Sequence, residues 1–354
     1  MSAVSPVVGF LSPGAVRMAV TLSRGAFQAQ DQRTTIWNTT LLPPRGSVHD
    51  QGMGIFRLGY VEVRVPDLEL CTAYYTEVLG LREVERVDNR VYLKAWDEHD
   101  HHSVILTEAP RYGLEHLGFK CESVDDLEGF ETALERYGCT VERLQPGDER
   151  AVGDAIRFDS PSGHIFSIYA RLDKVGNGLP RFNPPPMPMD LVGIAPPRLD
   201  HCLLTTENVP DAGRFMQEAL GFRVTEQLIS NEGHQLIVFL ERSRKPHDIA
   251  FTRGASGGLH HFAFWLDSWS DVGRAADILR LNGVDIDIGP TRHGITRGHT
   301  IYFFDPVGNR NEVFSGGYHV DPDWEVITWT EDQFGKALFY YENRVVESFV
   351  TIHS

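Results

Sequence analysis

The sequence predicts an α+β protein of two domains, each made of two strand–helix–strand–strand–strand modules, followed by a C-terminal tail with a helix. The main observation is an internal repeat, because three segments of the first half resemble three segments of the second half. The paired segments are residues 58–81 and 198–222, residues 114–138 and 259–283, and residues 156–169 and 301–314. In the first pair, alternating apolar residues typical of a strand lead into a helical period that ends at Leu-Gly.

Shifts in composition divide the chain into five parts. Residues 1–52 are rich in Ser, Thr, Pro and Gly and have no acidic residue before Asp31, which predicts a disordered extension. Translation from Met53 and a transit peptide are alternative interpretations of this segment. A Pro-rich stretch cannot continue a helix and predicts a linker between domains. The parts are residues 1–52 (extension), 53–180 (N-terminal domain), 181–197 (linker), 198–320 (C-terminal domain) and 321–354 (tail, with a helix from Thr330 to about Val345).

The overall composition excludes several classes of protein. The chain has 354 residues, 42% of them apolar, and a formal net charge of −16. Such a charge argues against binding to nucleic acid or to an anionic membrane surface. No apolar run approaches the roughly 20 residues needed to cross a bilayer. The four cysteines form no Cys-x-x-Cys pair and no disulfide framework, so we expect a cytoplasmic protein.

A comparison of the two repeats locates the candidate chemistry. The second half has two histidines and a glutamate at three corresponding strand positions, whereas the first half keeps only one histidine. The residues are His201, His261 and Glu312 in the second half, against Tyr60, His116 and Ser167 in the first. Without such partners, His116 is expected to be a structural residue.

Each residue of this trio alternates with apolar neighbours along its strand and therefore faces the same side as they do. Any one of them alone would be interpreted as a hydrogen-bonded core residue. Together, two neutral imidazoles and one carboxylate suit a divalent metal and leave coordination positions open. This ligand set is typical of non-haem Fe(II) oxygenases.

Further polar residues lie near the trio in the sequence. His247 stands at the start of a predicted strand, His293 in a Gly-rich loop and Tyr302 in the strand that follows. Loops of this kind commonly close over sites. Taken singly, His293 is equally well a solvated loop residue and Tyr302 a core residue. The run DEHDHH at residues 97–102 predicts a hairpin loop rather than a metal site.

Several motifs closely resemble catechol 2,3-dioxygenases, the type I extradiol dioxygenases of the vicinal oxygen chelate superfamily. The motifs are LDHCLL, KPHDIAF, GLHHFAFWL, residues 287–317 and the tail segment VITWTEDQFGKALFYY. The resemblance covers roughly residues 55–350, and residues 287–317 are its most specific part. It implies the vicinal oxygen chelate fold and meta cleavage of a catechol by dioxygen, giving 2-hydroxymuconic semialdehyde, in aromatic compound degradation.

The resemblance also implies a role for each candidate residue. His201, His261 and Glu312 match the Fe(II) ligands, and the 198–320 domain would be the catalytic one. His247 matches the acid–base histidine beside dioxygen, while His293 and Tyr302 match residues that hydrogen-bond the catechol oxygens. A homotetramer is implied as well. Arg297 stands where some relatives carry another histidine, which leaves the preferred ring substituent open.

Two rival functions and a rival metal are consistent with the same fold. A glyoxalase-like isomerase would draw its ligands from paired modules, often with two carboxylates, whereas this trio lies in one half. A metal-free binding protein of the superfamily would be shorter and would not need the trio. Manganese is an alternative to iron, because the ligand set does not distinguish the two metals.

Overall fold

A computed structural model describes residues 54–354, and the extension expected over residues 1–52 lies outside the described residues. Each half of the described chain contains two modules in which one strand and one helix are followed by three strands, as the repeat predicts. None of the helices in residues 54–354 combines the length and the apolar character needed to cross a membrane.

The first half has eight strands and two helices in two modules. A π-helical turn over Tyr74–Val78 extends the first helix. The elements are β1 (Ile55–Val65), α1 (Leu68–Ala73), β2 (Arg82–Val87), β3 (Arg90–Lys94) and β4 (Val104–Glu108), then β5 (Gly113–Cys121), α2 (Asp126–Tyr137), β6 (Val141–Leu144), β7 (Ala155–Asp159) and β8 (Ile165–Tyr169).

The second half repeats this order and continues into the tail. Its modules are β9 (Arg198–Thr206), α3 (Val209–Leu220), β10 (Arg223–Ile229), β11 (Gln235–Glu241) and β12 (Ile249–Arg253), then β13 (Gly258–Trp265), α4 (Trp269–Leu281), β14 (Ile286–Arg292), β15 (Gly298–Phe304) and β16 (Arg310–Gly316). The tail adds β17 (Ile327–Thr330), α5 (Phe334–Leu338) and α6 (Glu347–Thr351).

Local sequence explains where the crossover helices begin and end. The side chain of Asn208 accepts a hydrogen bond from the backbone N–H of Asp211 at the start of α3, and Ser268 does the same for Asp271 in α4. Helix α3 ends at Gly221, whose φ of 70° favours glycine. The chain can therefore turn back sharply into the next strand.

Each half forms one sheet in which two modules meet through their first strands. The first sheet has the order β2-β3-β4-β1-β5-β8-β7-β6, and the second has the order β14-β15-β16-β13-β9-β12-β11-β10-β17. In each sheet the two central strands are antiparallel and their outer neighbours are parallel to them. The sheets span residues 55–169 and 198–330, while the exact domain boundaries stay a prediction.

Strand alternation gives the second sheet two buried faces. Cys202 and Leu204 of β9 pack into the main core, which extends across both halves. Leu203 of β9 packs on the other face, in a smaller cluster with Phe239, Ala337 and other residues of the tail. Because His201 alternates with Cys202, it lies on the face that the tail covers.

The tail differs from its prediction. The helix expected from Thr330 to about Val345 is limited to α5, which ends at Leu338, because Phe339 leaves the helical region with φ −133° and ψ 87°. A strand, β17, precedes it and pairs in parallel with β10. The turn at Phe339 directs the Leu338 carbonyl towards His293, so tertiary hydrogen bonding overrides the helical sequence pattern.

In the first half, a buried polar network occupies the positions that correspond to the trio. The Nε2 atom of His116 lies 3.0 Å from the Tyr60 hydroxyl, and its Nδ1 atom lies 3.1 Å from Glu62. The Tyr60 hydroxyl also donates to Glu149, which is paired with Arg157. Protein groups satisfy both ring nitrogens of His116, as expected for a structural residue.

The Glu62 carboxylate should stabilise the first half in a pH-dependent way. Burial opposes its ionisation, but the hydrogen bond and charge of His116 outweigh burial and lower the pKa of Glu62 to about 2. A carboxyl group whose folded pKa is depressed stabilises the protein above its unfolded pKa, and this contribution disappears as the pH falls towards 2. We expect Glu62→Gln to reduce the free energy of unfolding at pH 7 by on the order of 2–3 kcal/mol.

Denaturant unfolding of metal-free protein at pH 7 and at pH 3 measures this difference. The loss should be smaller at pH 3, where the unfolded chain is protonated at Glu62, and should vanish only as the pH falls through about 2. The control is Glu115→Gln on β5, because the Glu115–Arg64 pair leaves each side chain 39% exposed and should contribute little. An equal loss for Glu62→Gln at both pH values would contradict the assignment of Glu62 as an ionised group.

Candidate metal centre

The register of three central strands brings the trio together. Ala263 on β13 pairs with His201 on β9 and, on its other side, with Glu312 on β16. His261 lies two residues before Ala263 and faces the same side of the sheet. Residues that are far apart in sequence therefore converge because neighbouring strands carry them at the same level.

Neighbouring elements supply the other predicted site residues. Tyr302 on β15 pairs directly with Glu312, and His293 follows the last residue of β14. On the other side of the trio, His247 stands just before β12, where the Asp248 carbonyl accepts a hydrogen bond from the Cys202 N–H at 3.2 Å. The structure thus brings all six sequence-predicted residues to one cavity.

The three candidate ligand atoms form a compact buried group. The Nε2 atoms of His201 and His261 each lie 3.0 Å from Oε2 of Glu312. All three ligand atoms lie within 4.8 Å of one another, and the side chains are at most 4% exposed. Water therefore contributes little to the stabilisation of the Glu312 charge.

Hydrogen bonds on the far side of each imidazole fix its tautomer. His201 donates its Nδ1–H to Asp200 at 2.8 Å, which leaves the Nε2 lone pair facing Glu312. A carbonyl oxygen only accepts, so His260 carries its proton on Nε2, 2.6 Å from the Phe349 carbonyl. Its Nδ1 then accepts from Nδ1–H of His261 at 2.7 Å. Both ligand histidines direct their Nε2 atoms at Glu312, the arrangement expected of metal-bound histidines.

Lone pairs that converge in this way require a cation between them. Without a metal, a proton takes this role, because burial of His201 is outweighed by Glu312 and Asp200, which raise the pKa of His201. For His261, burial dominates and lowers the pKa to about 4. Burial of Glu312 is likewise outweighed by the two imidazoles, which hold its pKa well below its usual range. The donor set therefore fits a divalent cation, which would displace the shared proton.

His247 lies on one side of the trio. Its ring centroid is 4.0 Å from that of His201 and 4.9 Å from that of Phe239. Burial, followed by the charge of His201, holds the pKa of His247 well below its usual value. His247 is therefore neutral at pH 7 and can accept a proton.

His293 and Tyr302 lie on the opposite side of the trio and are linked to each other. The Nδ1–H of His293 donates to the Leu338 carbonyl, and its Nε2 lies 2.9 Å from the Tyr302 hydroxyl. Burial, followed by the charge of Glu312, keeps the pKa of Tyr302 well above its usual value. Tyr302 therefore stays a hydroxyl donor, and the pair presents polar atoms beside Glu312.

Apolar side chains complete the cavity around the trio. They come from β9, β11, β16 and the tail. The apolar lining residues include Leu203, Ile237, Phe239, Phe314, Leu338 and Phe349. A cavity of this kind suits a small aromatic ring placed between two polar sides.

Sequence reasoning missed several contributors to this site. Asp200 was not singled out, because strand alternation places it on the opposite face from His201. Thr300, which donates to Oε1 of Glu312 at 2.5 Å, looks like an ordinary β-branched strand residue. His102 does not belong to this site, but in the first half it stands at the position equivalent to His247, and sequence reasoning placed it only in a hairpin loop. The equivalent strand pairing of the two halves would have been the signal for His102.

Family models match both halves of the chain. The model described as "Glyoxalase/Bleomycin resistance protein/Dioxygenase superfamily" matches residues 198–313, which contain all six predicted site residues. A second model, described as "Catechol 2,3-dioxygenase-like N-terminal domain", matches residues 114–173.

Two curated proteins align with most of the chain. A metapyrocatechase from Pseudomonas sp. (strain CF600) is 43% identical over 84% of this chain and 98% of its own. A manganese-dependent 2,3-dihydroxybiphenyl 1,2-dioxygenase from Geobacillus genomosp. 3 is 34% identical over 81% of this chain and 94% of its own.

Solved structures agree with these relatives. The 2,3-dioxygenase LapB from Pseudomonas sp. KL28 has a TM-score of 0.77 and 45% identity, covering 79% of this chain and 99% of that one. A substrate complex of homoprotocatechuate 2,3-dioxygenase from Brevibacterium fuscum has a TM-score of 0.77 and 31% identity, covering 85% and 93%. All four proteins are named as dioxygenases or metapyrocatechases, which favours a dioxygenase over an isomerase. The chain therefore belongs to the metapyrocatechases, the catechol 2,3-dioxygenases of the extradiol type, and is an oxidoreductase of that family.

Proposed function

We propose that the protein uses Fe(II), held by His201, His261 and Glu312, to cleave catechol or a substituted catechol beside its two hydroxyl groups with dioxygen. The product would be 2-hydroxymuconic semialdehyde or its substituted form. The observation that supports this most is the convergence of two Nε2 lone pairs and one carboxylate oxygen in a buried cavity with separate polar groups on either side.

The charge of the ligand set favours this chemistry. Two neutral imidazoles and one carboxylate would leave a divalent ion with one net positive charge, which favours binding of a catecholate anion. Fe(II) held by these three residues would supply a site for both the catecholate and dioxygen and a path for electron density between them. Manganese has the same ligand preferences, and one relative is manganese-dependent by name.

His293 and Tyr302 would bind the catechol oxygens. The Tyr302 hydroxyl donates to Nε2 of His293 in this structure and can donate to a catechol oxygen after a small rotation. The Leu338 carbonyl holds the proton of His293 on Nδ1, so Nε2 can accept a proton from the substrate. The two residues would thus orient the ring and assist its deprotonation.

His247 would serve the dioxygen side. Its lowered pKa makes it neutral in the resting site, so we infer that it first accepts a proton, for example from the second catechol hydroxyl. It would later return that proton to oxygen as the ring opens. The aromatic rings of Phe239 and Phe314, whose centroids lie 4.9 and 6.5 Å from that of His247, keep water away from this side.

The product of catechol oxidation tests the proposal directly. Protein prepared without oxygen and loaded with Fe(II) should consume about one dioxygen for each catechol and form a yellow ring-opened product. Parallel samples loaded with Mn(II) or Zn(II) would identify the metal that supports turnover. Colourless cis,cis-muconate would contradict the proposed cleavage position. An absence of oxygen uptake at full Fe(II) occupancy would favour another substrate or a glyoxalase-like isomerase instead.

Removal of the carboxylate ligand should abolish metal binding but not folding. We expect Glu312→Ala to lose bound Fe(II) and all measurable turnover, because two imidazoles alone hold the ion weakly. The circular dichroism spectrum should be unchanged, since both histidines can remain neutral in the apo core. Metal analysis after dialysis checks this, with the exposed Glu232→Ala on the β10–β11 turn as a control. A variant with full iron and turnover would remove Glu312 from the ligand set.

Removal of the proposed acid–base residue should give a different result. His247→Ala should retain Fe(II) and catechol binding but lose turnover by roughly 10²–10⁴-fold, the usual effect of losing a general acid or base. The matched control is His234→Ala, because His234 is exposed on the β10–β11 turn. Single-turnover kinetics of the iron-loaded variants measure the effect, and an unchanged rate would exclude His247 from proton transfer.

Two expectations extend this proposal. A homotetramer is implied by the family resemblance, and sedimentation analysis of purified protein would check it. The cytoplasmic location expected from the cysteine content is also a proposal, which fractionation of the producing cells would test.

A further inference from the structure

We propose that Glu226 is a positioning residue, which holds the loop of residues 293–298 so that His293 is aligned for the catechol. This inference rests on the proposed function of His293. We call residues 293–298 the roof loop, because His293, Ile295 and Thr296 line the active cavity.

Glu226 on β10 joins three separate segments of the chain. Its Oε1 atom accepts from the Thr296 N–H at 2.6 Å and from the Tyr318 hydroxyl at 2.6 Å. Its Oε2 atom accepts from Nε1–H of Trp329 at 2.8 Å. The three donors come from the roof loop, from the segment after β16 and from β17. One buried carboxylate therefore fixes all three segments relative to β10.

The backbone of the roof loop requires such a contact. Thr296 and Arg297 both have φ of 58°, in the left-handed region that non-glycine residues rarely adopt. Strain of this kind persists only where the surrounding structure holds it in place. Glu226 holds one of the two strained residues directly, because it accepts a hydrogen bond from the N–H of Thr296.

The opposite edge of the roof loop is bound to the tail. The N–H groups of Gly294 and Ile295 donate to the Ala337 carbonyl at 3.0 and 2.9 Å. A Cβ atom at Gly294 would lie 2.4 Å from the Lys336 carbonyl oxygen and 2.9 Å from the ring of Trp329. The loop is thus fixed on one side by α5 and on the other by Glu226, and Trp329 contacts both.

A carboxylate at this position needs a specific reason. Glu226 is 1% exposed, and an apolar residue would avoid the cost of burying a charge. Burial raises the pKa of Glu226 above its usual value, although its three donors and the charge of Arg297 oppose this shift. Arg297 itself stacks over the Tyr318 ring, 4.8 Å from its centroid. A group that only accepts hydrogen bonds, and has two oxygens, is what three converging donors require.

Glu226→Gln is the test variant, because it keeps the size and removes one acceptor. An amide has only one oxygen, so its NH2 group must face either the Trp329 N–H or the N–H of Thr296 and the hydroxyl of Tyr318. In either orientation at least one hydrogen bond to Glu226 is lost. We expect unchanged iron content, a kcat/KM for catechol about tenfold lower with most of the change in KM, and an intact fold. The matched control is Glu62→Gln, which removes an equally buried carboxylate from the first half and should leave kcat/KM unchanged.

A double-mutant cycle distinguishes positioning from general destabilisation. If Glu226 acts through the roof loop, Glu226→Gln should lower kcat/KM by less than about twofold in a His293→Ala background, because the aligned group is already missing. An equal loss in both backgrounds, or no loss in the wild-type background, would overturn the proposal. Tyr318→Phe, which removes one donor and keeps the buried charge, should show a smaller effect with the same dependence on His293.

Hydrogen exchange provides a readout that does not depend on turnover. The amides of the roof loop should exchange faster in Glu226→Gln than in the wild type, while those of β13 stay unchanged. Unchanged exchange in the roof loop would overturn the proposal. Faster exchange in a protein that fails to oxidise catechol would support the clamp by Glu226 and count against the proposed function alone.

Discussion

The convergence of two imidazole lone pairs and one carboxylate in a buried cavity is the constraint on which the remaining structure depends. The Nε2 atoms of His201 and His261 each lie 3.0 Å from Oε2 of Glu312. Lone pairs at this distance repel one another unless a cation lies between them. The register of three adjacent strands brings them together, and Asp200 and His260 fix which nitrogen of each histidine faces inward. A sheet that slipped by one residue would turn these side chains to the opposite face, so the register and the chemistry are specified by the same pairing.

Strand alternation and the internal repeat were sufficient to predict the module order and the trio of His201, His261 and Glu312. The roles of His247, His293 and Tyr302 came from the family resemblance. Features that depend on tertiary contacts could not be predicted in this way. Asp200 alternates away from His201 along β9, yet its carboxylate reaches the Nδ1 atom of that ring. The tail helix was predicted too long, because the pattern of residues 330–345 is helical. The hydrogen bond between His293 and the Leu338 carbonyl, which accompanies the end of the helix, cannot be seen in that pattern. The partners of Glu226 are up to 103 positions away in sequence, and no local signal connects them.

The two halves share one fold but differ in the buried polar groups at equivalent strand positions. In the first half, a histidine remains at the position of His261, but Glu62 and the Tyr60 hydroxyl occupy both of its nitrogens. The nearby carboxylate of Glu149 is neutralised by Arg157. Every charge there has a protein partner, so this half gains stability from the network. The second half leaves its lone pairs directed at one another, and a metal ion rather than a side chain would satisfy them.

The contribution of the tail to the cavity has a consequence for biosynthesis. Leu338 and Phe349 line the pocket, and the Phe349 carbonyl accepts from His260, which in turn orients His261. A ribosome makes the chain from its N-terminus, so the strands that carry the trio emerge well before these residues. A nascent chain would therefore hold an open, water-filled and poorly oriented ligand set until the tail docks. The late arrival of Phe349 therefore ties the ordering of the ligand His261 to completion of the cavity.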